Sequence, residues 1–434
     1  MKTVAVVGGG WAGLAAAISA ARAGHRVTVF EAAHQWGGRA RALPCTLADG
    51  SSTLLDNGQH ILIGAYTDTL ALMQSVGVDT DATLWRLPLT LLFPDGQGLR
   101  LPDWPLPLDV LAGVLTARGW SLADKWSLLR TTGRWQLAGF RCAARLSVAD
   151  LCQGLSPTVL QTLIEPLCVS ALNTPAERAS GQVFLRVLRD SLLGGRGSSK
   201  LLLPRTDLSS LFPGAAAQWL ERQGASLRLG QRVETLHRQT GWQVNGQTFD
   251  AVVWATSAAV ASQVLGRSTG TGDTTSALRH WAGLAGQLHY ESIATVYVQA
   301  GTTRLPLPLL ALRSSADHPA QFVFDRGQLG GPHGLLALVV SASSDDRATL
   351  QKKVLQQAQT QLAELLQGQA LSAVQTVVEK RATFACTPAL LRPPQHIAPG
   401  LLACGDYVEG PYPATLEGAV RSGLAAGLAL TGAP

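Results

Sequence analysis

The chain has 434 residues, 46% of them apolar and 15% charged, with a formal net charge of +6. That length exceeds a typical single core and asks for two lobes, while the scattered basic residues and the lack of any recognition module set nucleic acid aside as a partner. No uncharged apolar run of eighteen residues is present, the chain opens directly on a strand pattern, and its six cysteines lack zinc-binding spacing. A cytoplasmic, non-spanning chain with reduced thiols and no metal is therefore expected.

Val4-Ala5-Val6-Val7 reads as a buried strand, Gly8-Gly9-Gly10-Trp11-Ala12-Gly13 as the turn after it, the alanine-rich stretch to Ala23 as a helix closed by Gly24, and Val27-Thr28-Val29-Phe30 as a second strand. Together they spell a βαβ dinucleotide-binding unit. Gly8 permits the sharp turn, Gly10 lets backbone approach a pyrophosphate, Gly13 lets the helix pack on the strand, and the helix start offers free N–H groups to phosphate. Glu31, eighteen positions after Gly13, is placed to accept from ribose hydroxyls. This unit alone does not separate NAD from FAD. Trp36-Gly37-Gly38-Arg39-Ala40-Arg41 follows, a plain loop if taken alone. Coming at this interval after Glu31, it resembles the extended fingerprint of the amine oxidase and phytoene desaturase flavoprotein superfamily, which implies FAD, with Gly38 and Arg39 on the cofactor.

Five of the eleven tryptophans lie between 85 and 135, around the proline-broken run Leu101-Pro102-Asp103-Trp104-Pro105-Leu106-Pro107-Leu108 and the apolar Val110–Leu115. This segment is either an interfacial, membrane-surface element or a helical cap over an apolar pocket. A helix follows, N-capped by Ser121 with Asp124 in its first turn and Leu122, Trp126 and Leu129 on one face. Further on, Glu165 adjoins the pattern Leu160, Leu163, Ile164, Leu167, and Asp190 follows Val183 and Val187 at helical spacing. Each carboxyl is either a desolvated, proton-bearing acid, or a partner of a nearby arginine such as Arg186 or Arg189, or simply exposed.

Ser226–Leu229, Val233–Leu236, Trp242–Val244 and Thr248–Asp250 read as short strands leading into the buried strand Ala251–Thr256. Glu291 reads as a strand-end carboxylate. Gly400–Asp406 reads as a strand closing on glycine and aspartate, and Pro411–Gly423 as a turn entering a small-residue helix. In the flavoprotein superfamily that these ends resemble, the meander brings the backbone of Val233 to the adenine, Asp406 after Gly405 meets the ribityl chain, and the helix start at Thr415 and Ala419 faces the pyrimidine edge of the flavin. Core packing is the other reading of Val233.

Asp56-Asn57-Gly58-Gln59-His60 through Tyr66, Glu165–Cys168 through Pro175, Gln182–Leu192 and Leu202–Ser209 look like the hydroxysqualene dehydroxylases of bacterial squalene and hopanoid synthesis. That resemblance runs the length of the chain. It implies an α/β fold with a Rossmann-like FAD-binding domain of amine oxidase type and a discontinuous α+β substrate domain. The FAD domain is expected at 1–65, 205–265 and 395–434, the substrate domain at 66–204 and 266–394. Trp11 and Ala12 of the first motif and Gly58, Gln59 and His60 would also line the cofactor. The implied reaction removes the allylic hydroxyl of hydroxysqualene as water and adds hydride, with Asp190 or Glu165 as the acid and Tyr412 lining the cavity. An oxidase or polyene desaturase would run the same cofactor in the opposite direction. A flavin-free lipid binder, as in the Rab GDP-dissociation inhibitors, is the third reading, opposed by the intact Gly8, Gly10, Gly13, Glu31 and Arg39. No second glycine motif has a strand and a helix around it, so the electron donor stays open between NADPH and a carrier protein. The location implied is cytoplasmic and peripheral on the inner face of the cell membrane.

Overall fold

A computed structural model describes residues 1–105 and 107–430. Its central sheet runs in the order Ser226–Arg228, Arg26–Phe30, Thr3–Val7, Ala251–Trp254, Leu401–Ala403 and His396–Ala398, parallel except for the last strand. Strands buried on both faces read as continuous apolar runs, and the central strands Thr3–Val7 and Ala251–Trp254 do. Val4, Val6, Val27 and Val29 meet the helices on one face, while Ala5, Val7 and Phe30 pack on the other. The helix Trp11–Arg22 is buried at every position from Trp11 to Ala20. It lies between the sheet, the helix Pro213–Arg222 and the C-terminal helix Leu416–Ala429. This accounts for its alanines: a helix enclosed on all sides needs small apolar residues around its whole circumference.

A second, antiparallel sheet carries the strands Leu309–Ala311, Phe322–Asp325, Leu335–Ser341, Tyr290–Gln299 and Ser372–Phe384 in that order. Alternation divides its faces. Ala294, Val296, Val298, Leu336, Leu338 and Val340 pack on the helix Arg347–Gln361, and Tyr297, Leu335, Ala337 and Val339 join the core shared with the first sheet. Glu291, near the end of its strand, is ion-paired with Arg178 at 2.7 Å.

The meander differs from the sequence reading. Ser226–Arg228 is an edge strand of the parallel sheet, and the three-stranded meander consists of Leu236–Arg238, Trp242–Val244 and Gln247–Phe249. Val233 precedes its first strand, in irregular backbone, with its side chain buried in the core. The polar stretch Arg232-Val233-Glu234-Thr235 offers only one apolar side chain, too little to hold a strand by burial.

In the tryptophan-rich segment, Leu106 lies outside the described residues. The helices Leu108–Thr116 and Leu122–Leu137 follow, the second opened by the expected capping box of Ser121 and Asp124. The face shared by Leu122 and Trp126 points outward, with both side chains exposed, and only Leu129 of that trio packs on the core. Further along, the pattern from Leu160 is split. Leu160–Ile164 forms a π-helical turn before the α-helix Glu165–Leu172. Pro166 has no N–H to give to the carbonyl four residues back, and the widened turn accommodates that missing bond.

Candidate active site

The first glycine turn is built as its sequence requires. Gly8 has φ +115°, a conformation that side chains avoid, and a Cβ on Gly13 would run into the Gly8 carbonyl. The helix that follows begins at Gly10 with no side-chain cap, so its first N–H groups remain available to an anion. The Gly37–Gly38 turn lies against it: the Gly37 N–H donates to the Gly9 carbonyl at 2.9 Å. A Cβ on Gly10 would enter open space, met only by the Gly38 Cα at 3.8 Å. The Glu31 carboxylate stands at the rim, accepting from the N–H groups of Gly9 and Ala33, each at 2.7 Å.

The two ends of the chain meet at Arg39. Its guanidinium donates to Asp406 at 2.6 Å and to the Ala382 carbonyl at 2.5 Å. Burial works against that charge, and the Asp406 carboxylate outweighs it and holds the guanidinium above its usual value. The Asp406 carbonyl in turn accepts the Ala414 N–H at 3.1 Å, which ties down the turn leading to the C-terminal helix. Thr415 caps that helix through the Gly418 N–H at 2.9 Å. Ala419 is buried in its first turn.

Asn57 donates to the Arg39 carbonyl at 3.0 Å, which brings the Gly58-Gln59-His60 segment to the same region. His60 Nδ1 faces the Gly58 carbonyl at 2.8 Å. A carbonyl only accepts, so Nδ1 carries the proton and Nε2 keeps its lone pair. Burial lowers the affinity of the ring for a second proton, and nearby Arg39 adds to this.

The two candidate acids part company. Asp190, on the helix Gly181–Leu193, does not stand on an apolar face: Arg189 pairs with Oδ1 at 2.8 Å and the Tyr412 hydroxyl donates to Oδ2 at 2.8 Å. The pairing arises because residue 190 sits at the helix margin, where the neighbouring Arg189 reaches it and the C-terminal turn passes. Burial raises the Tyr412 phenol, with the Asp190 charge adding to it, and Arg421 lies over the ring at 5.1 Å. Glu165 is exposed on its helix, its carboxyl held above the usual range by partial desolvation and by Glu177. No hydrogen bond joins it to the Asp190–Tyr412 pair among the described residues.

The model of the family of flavin containing amine oxidoreductases matches residues 11–427. The chain belongs to this family. It is 28% identical to a hydroxysqualene dehydroxylase of Sinorhizobium fredii, with 99% of each chain covered. Against a hydroxysqualene dehydroxylase of Rhodopseudomonas palustris it is 27% identical, over 97% of this chain and 96% of the other. Among solved structures, an oxidoreductase from Methanosarcina mazei superposes with a TM-score of 0.71 at 16% identity, covering 98% of this chain and 99% of that one.

This flavoenzyme is an FAD-dependent oxidoreductase of amine oxidase fold. The residues present fit the cofactor: an uncapped helix start for its phosphates, an open glycine cradle beside it, and a carboxylate at the strand end. A further donor, Gln59 Nε2, is buried without a partner. Two groups in this region escaped the sequence reading. Arg326, which is 4% exposed, lies 3.6 Å from the fully buried Asp56 and donates to Gln59 Oε1 at 3.1 Å. Glu417 accepts from the N–H groups of Asp68 and Thr69, at 3.1 and 2.9 Å, and so caps the helix Thr67–Ser75, which lacks a cap of its own. No local pattern signals either contact, because each partner lies hundreds of residues away.

Proposed function

We propose that this flavoenzyme reduces hydroxysqualene to squalene. The observation that carries the reading is likeness at near full length to relatives of that name. In this reading the start of the helix Trp11–Arg22 binds the pyrophosphate, Glu31 accepts from the ribose hydroxyls, the backbone near Val233 meets the adenine, and Arg39 with Asp406 holds the ribityl chain. Reduced FAD, when bound, supplies the hydride.

The protein's own share of the chemistry is a proton. The allylic C–O bond breaks with its electron pair on oxygen, and that oxygen takes a proton from Tyr412 Oη, which Asp190 Oδ2 orients at 2.8 Å, while Arg421 over the ring favours the phenolate that remains. Water leaves, the allylic carbon gains hydride, and the substrate is reduced by two electrons. Arg189, paired with Asp190 Oδ1 at 2.8 Å, fixes the carboxylate that orients the phenol.

Anaerobic mixing of chemically reduced holoprotein with hydroxysqualene tests this. Flavin absorbance at 450 nm should return while squalene forms, as read by product mass. Bleaching of the oxidised flavin by squalene, or by a more saturated polyene, with no reoxidation by hydroxysqualene would assign the oxidative direction instead.

A further inference from the structure

We propose that the outward face of the helices Leu108–Thr116 and Leu122–Leu137, together with Trp104, docks on an anionic phospholipid bilayer. Thirteen large apolar side chains are exposed among the described residues, and seven of them fall between residues 104 and 137, under a tenth of the chain. Isolated exposed leucines are ordinary, but a contiguous group marks a contact surface. Leu108, Leu111 and Leu115 are 56%, 44% and 54% exposed and recur at helical spacing, so they share one face. Val114 and Gly113 on the other side are buried, so this helix is apolar on its outer and inner faces alike. Lys125 Nζ donates to the Leu115 carbonyl at 2.7 Å, joining the end of this helix to the first turns of the next. There Leu122 and Trp126, one turn apart, are 85% and 67% exposed. The surface is therefore continuous from one helix to the other.

Charge identifies the occupant. Residues 100–145 hold seven lysines and arginines against three aspartates, a surplus of four within the chain's net +6. The aspartates are withdrawn from the surface or neutralised: Asp109 is buried, Asp124 caps the Ser121 N–H at 2.8 Å, and Asp103 is paired with Lys200 at 2.9 Å. Arg118, Arg130 and Arg134 are exposed and form no ion pair among the described residues. Leucines and tryptophans rimmed by unpaired arginines suit acyl chains below and anionic headgroups around them. A second copy of this chain seated on the same face would bring two positive surpluses together, which opposes that pairing.

The inference rests on exposure and charge rather than on the reaction, so its test contains no substrate. Holoprotein is floated with vesicles of phosphatidylcholine, alone or mixed with phosphatidylglycerol, at low and high salt. Binding to the mixed vesicles is expected, weakened by salt and at least about tenfold weaker on phosphatidylcholine alone. The triple variant L111E/L122E/W126E should lose at least about tenfold in binding while keeping its flavin and melting temperature. Leu391→Glu, at a site 78% exposed but outside the patch, should bind as the unmodified protein does. The variant R118E/R130E, which leaves the leucines and tryptophans in place, should lose the preference for phosphatidylglycerol. Absence of vesicle binding by the unmodified protein would overturn the proposal, as would full binding by the triple variant. So would a dimer that the triple variant breaks in the absence of any vesicle binding, which would give the face to a second copy.

Discussion

The carboxylate of Asp190 divides its acceptor capacity between Arg189 and the phenol of Tyr412. At the residue scale this pair is either a proton-delivering site or a link that only holds a helix to a turn, and substitution separates the two. In the proposed role the two side chains act as one unit, a donor and the carboxylate that orients it, so removing either should cost about as much as removing both. Asp190→Asn keeps size and polarity but removes the carboxylate that orients the phenol, and Tyr412→Phe removes the hydroxyl that gives the proton. Each should slow flavin reoxidation by hydroxysqualene by about 10²- to 10⁴-fold, and the double variant should be little slower than either. Rapid mixing beside thermal melts provides the check. A purely structural pair predicts lower melting temperatures and reoxidation at the unmodified rate.

At the element scale the site depends on how closely two helices approach. In the proposed reading the start of Trp11–Arg22 faces the phosphates and the turn into Leu416–Ala429 faces the flavin, and the two helices meet where Gly423 and Gly427 leave room for backbone. A Cβ on Gly423 would run into the Ala12 carbonyl and lie 2.9 Å from the Ala15 Cβ. Gly423→Val should therefore push the helices apart, costing about 1 to 3 kcal/mol of stability and lowering FAD content together with the melting temperature. Normal stability and full flavin in this variant would show that the interface yields without moving the site. These helices were legible in the sequence because alanine and glycine, set between apolar strands, carry the pattern locally. Trp242–Val244 lies where the sequence placed it, but the first meander strand starts three residues late and the third one residue early, because strands of three residues are too short for alternation to fix where they start. The outward turn of Leu122 and Trp126 was hidden for a different reason: helical spacing shows that residues share a face and is silent on which way that face points.

On the scale of the whole molecule, a buried ionic link joins the two-stranded pair Ala42–Thr46 and Ser52–Asp56 to the antiparallel sheet. Asp56 ends the strand Ser52–Asp56 and Arg326 follows the strand Phe322–Asp325 of the antiparallel sheet. Asp56 also accepts the Leu208 N–H at 2.9 Å, and its carbonyl takes the Tyr297 hydroxyl at 2.9 Å. The sequence placed Asp56 beside a motif but gave no sign of Arg326, since burial of an ion pair is a property of packing and not of spacing. Desolvation pushes the Asp56 carboxyl up to about 6, with Arg326 pulling the other way. The sign of the effect on stability follows from linkage. A carboxyl raised above its unfolded value of about 4 binds a proton more readily in the folded state. Its stabilising contribution is complete below pH of about 4 and is lost as pH rises through about 6. Asp56→Asn abolishes this titration, so the melting temperature of the unmodified protein minus that of the variant is the gap that reports on position 56. The gap between them should be wider at pH of about 4.5 than at pH of about 7.5, because only the unmodified protein gains from protonation at position 56. Thermal melts of both proteins at the two pH values measure the difference directly, with all other carboxylates common to the pair and cancelling. A constant gap would mean that Asp56 keeps an ordinary carboxyl despite its burial, and a gap wider at the higher pH would mean that the attraction of Arg326 exceeds the cost of desolvation.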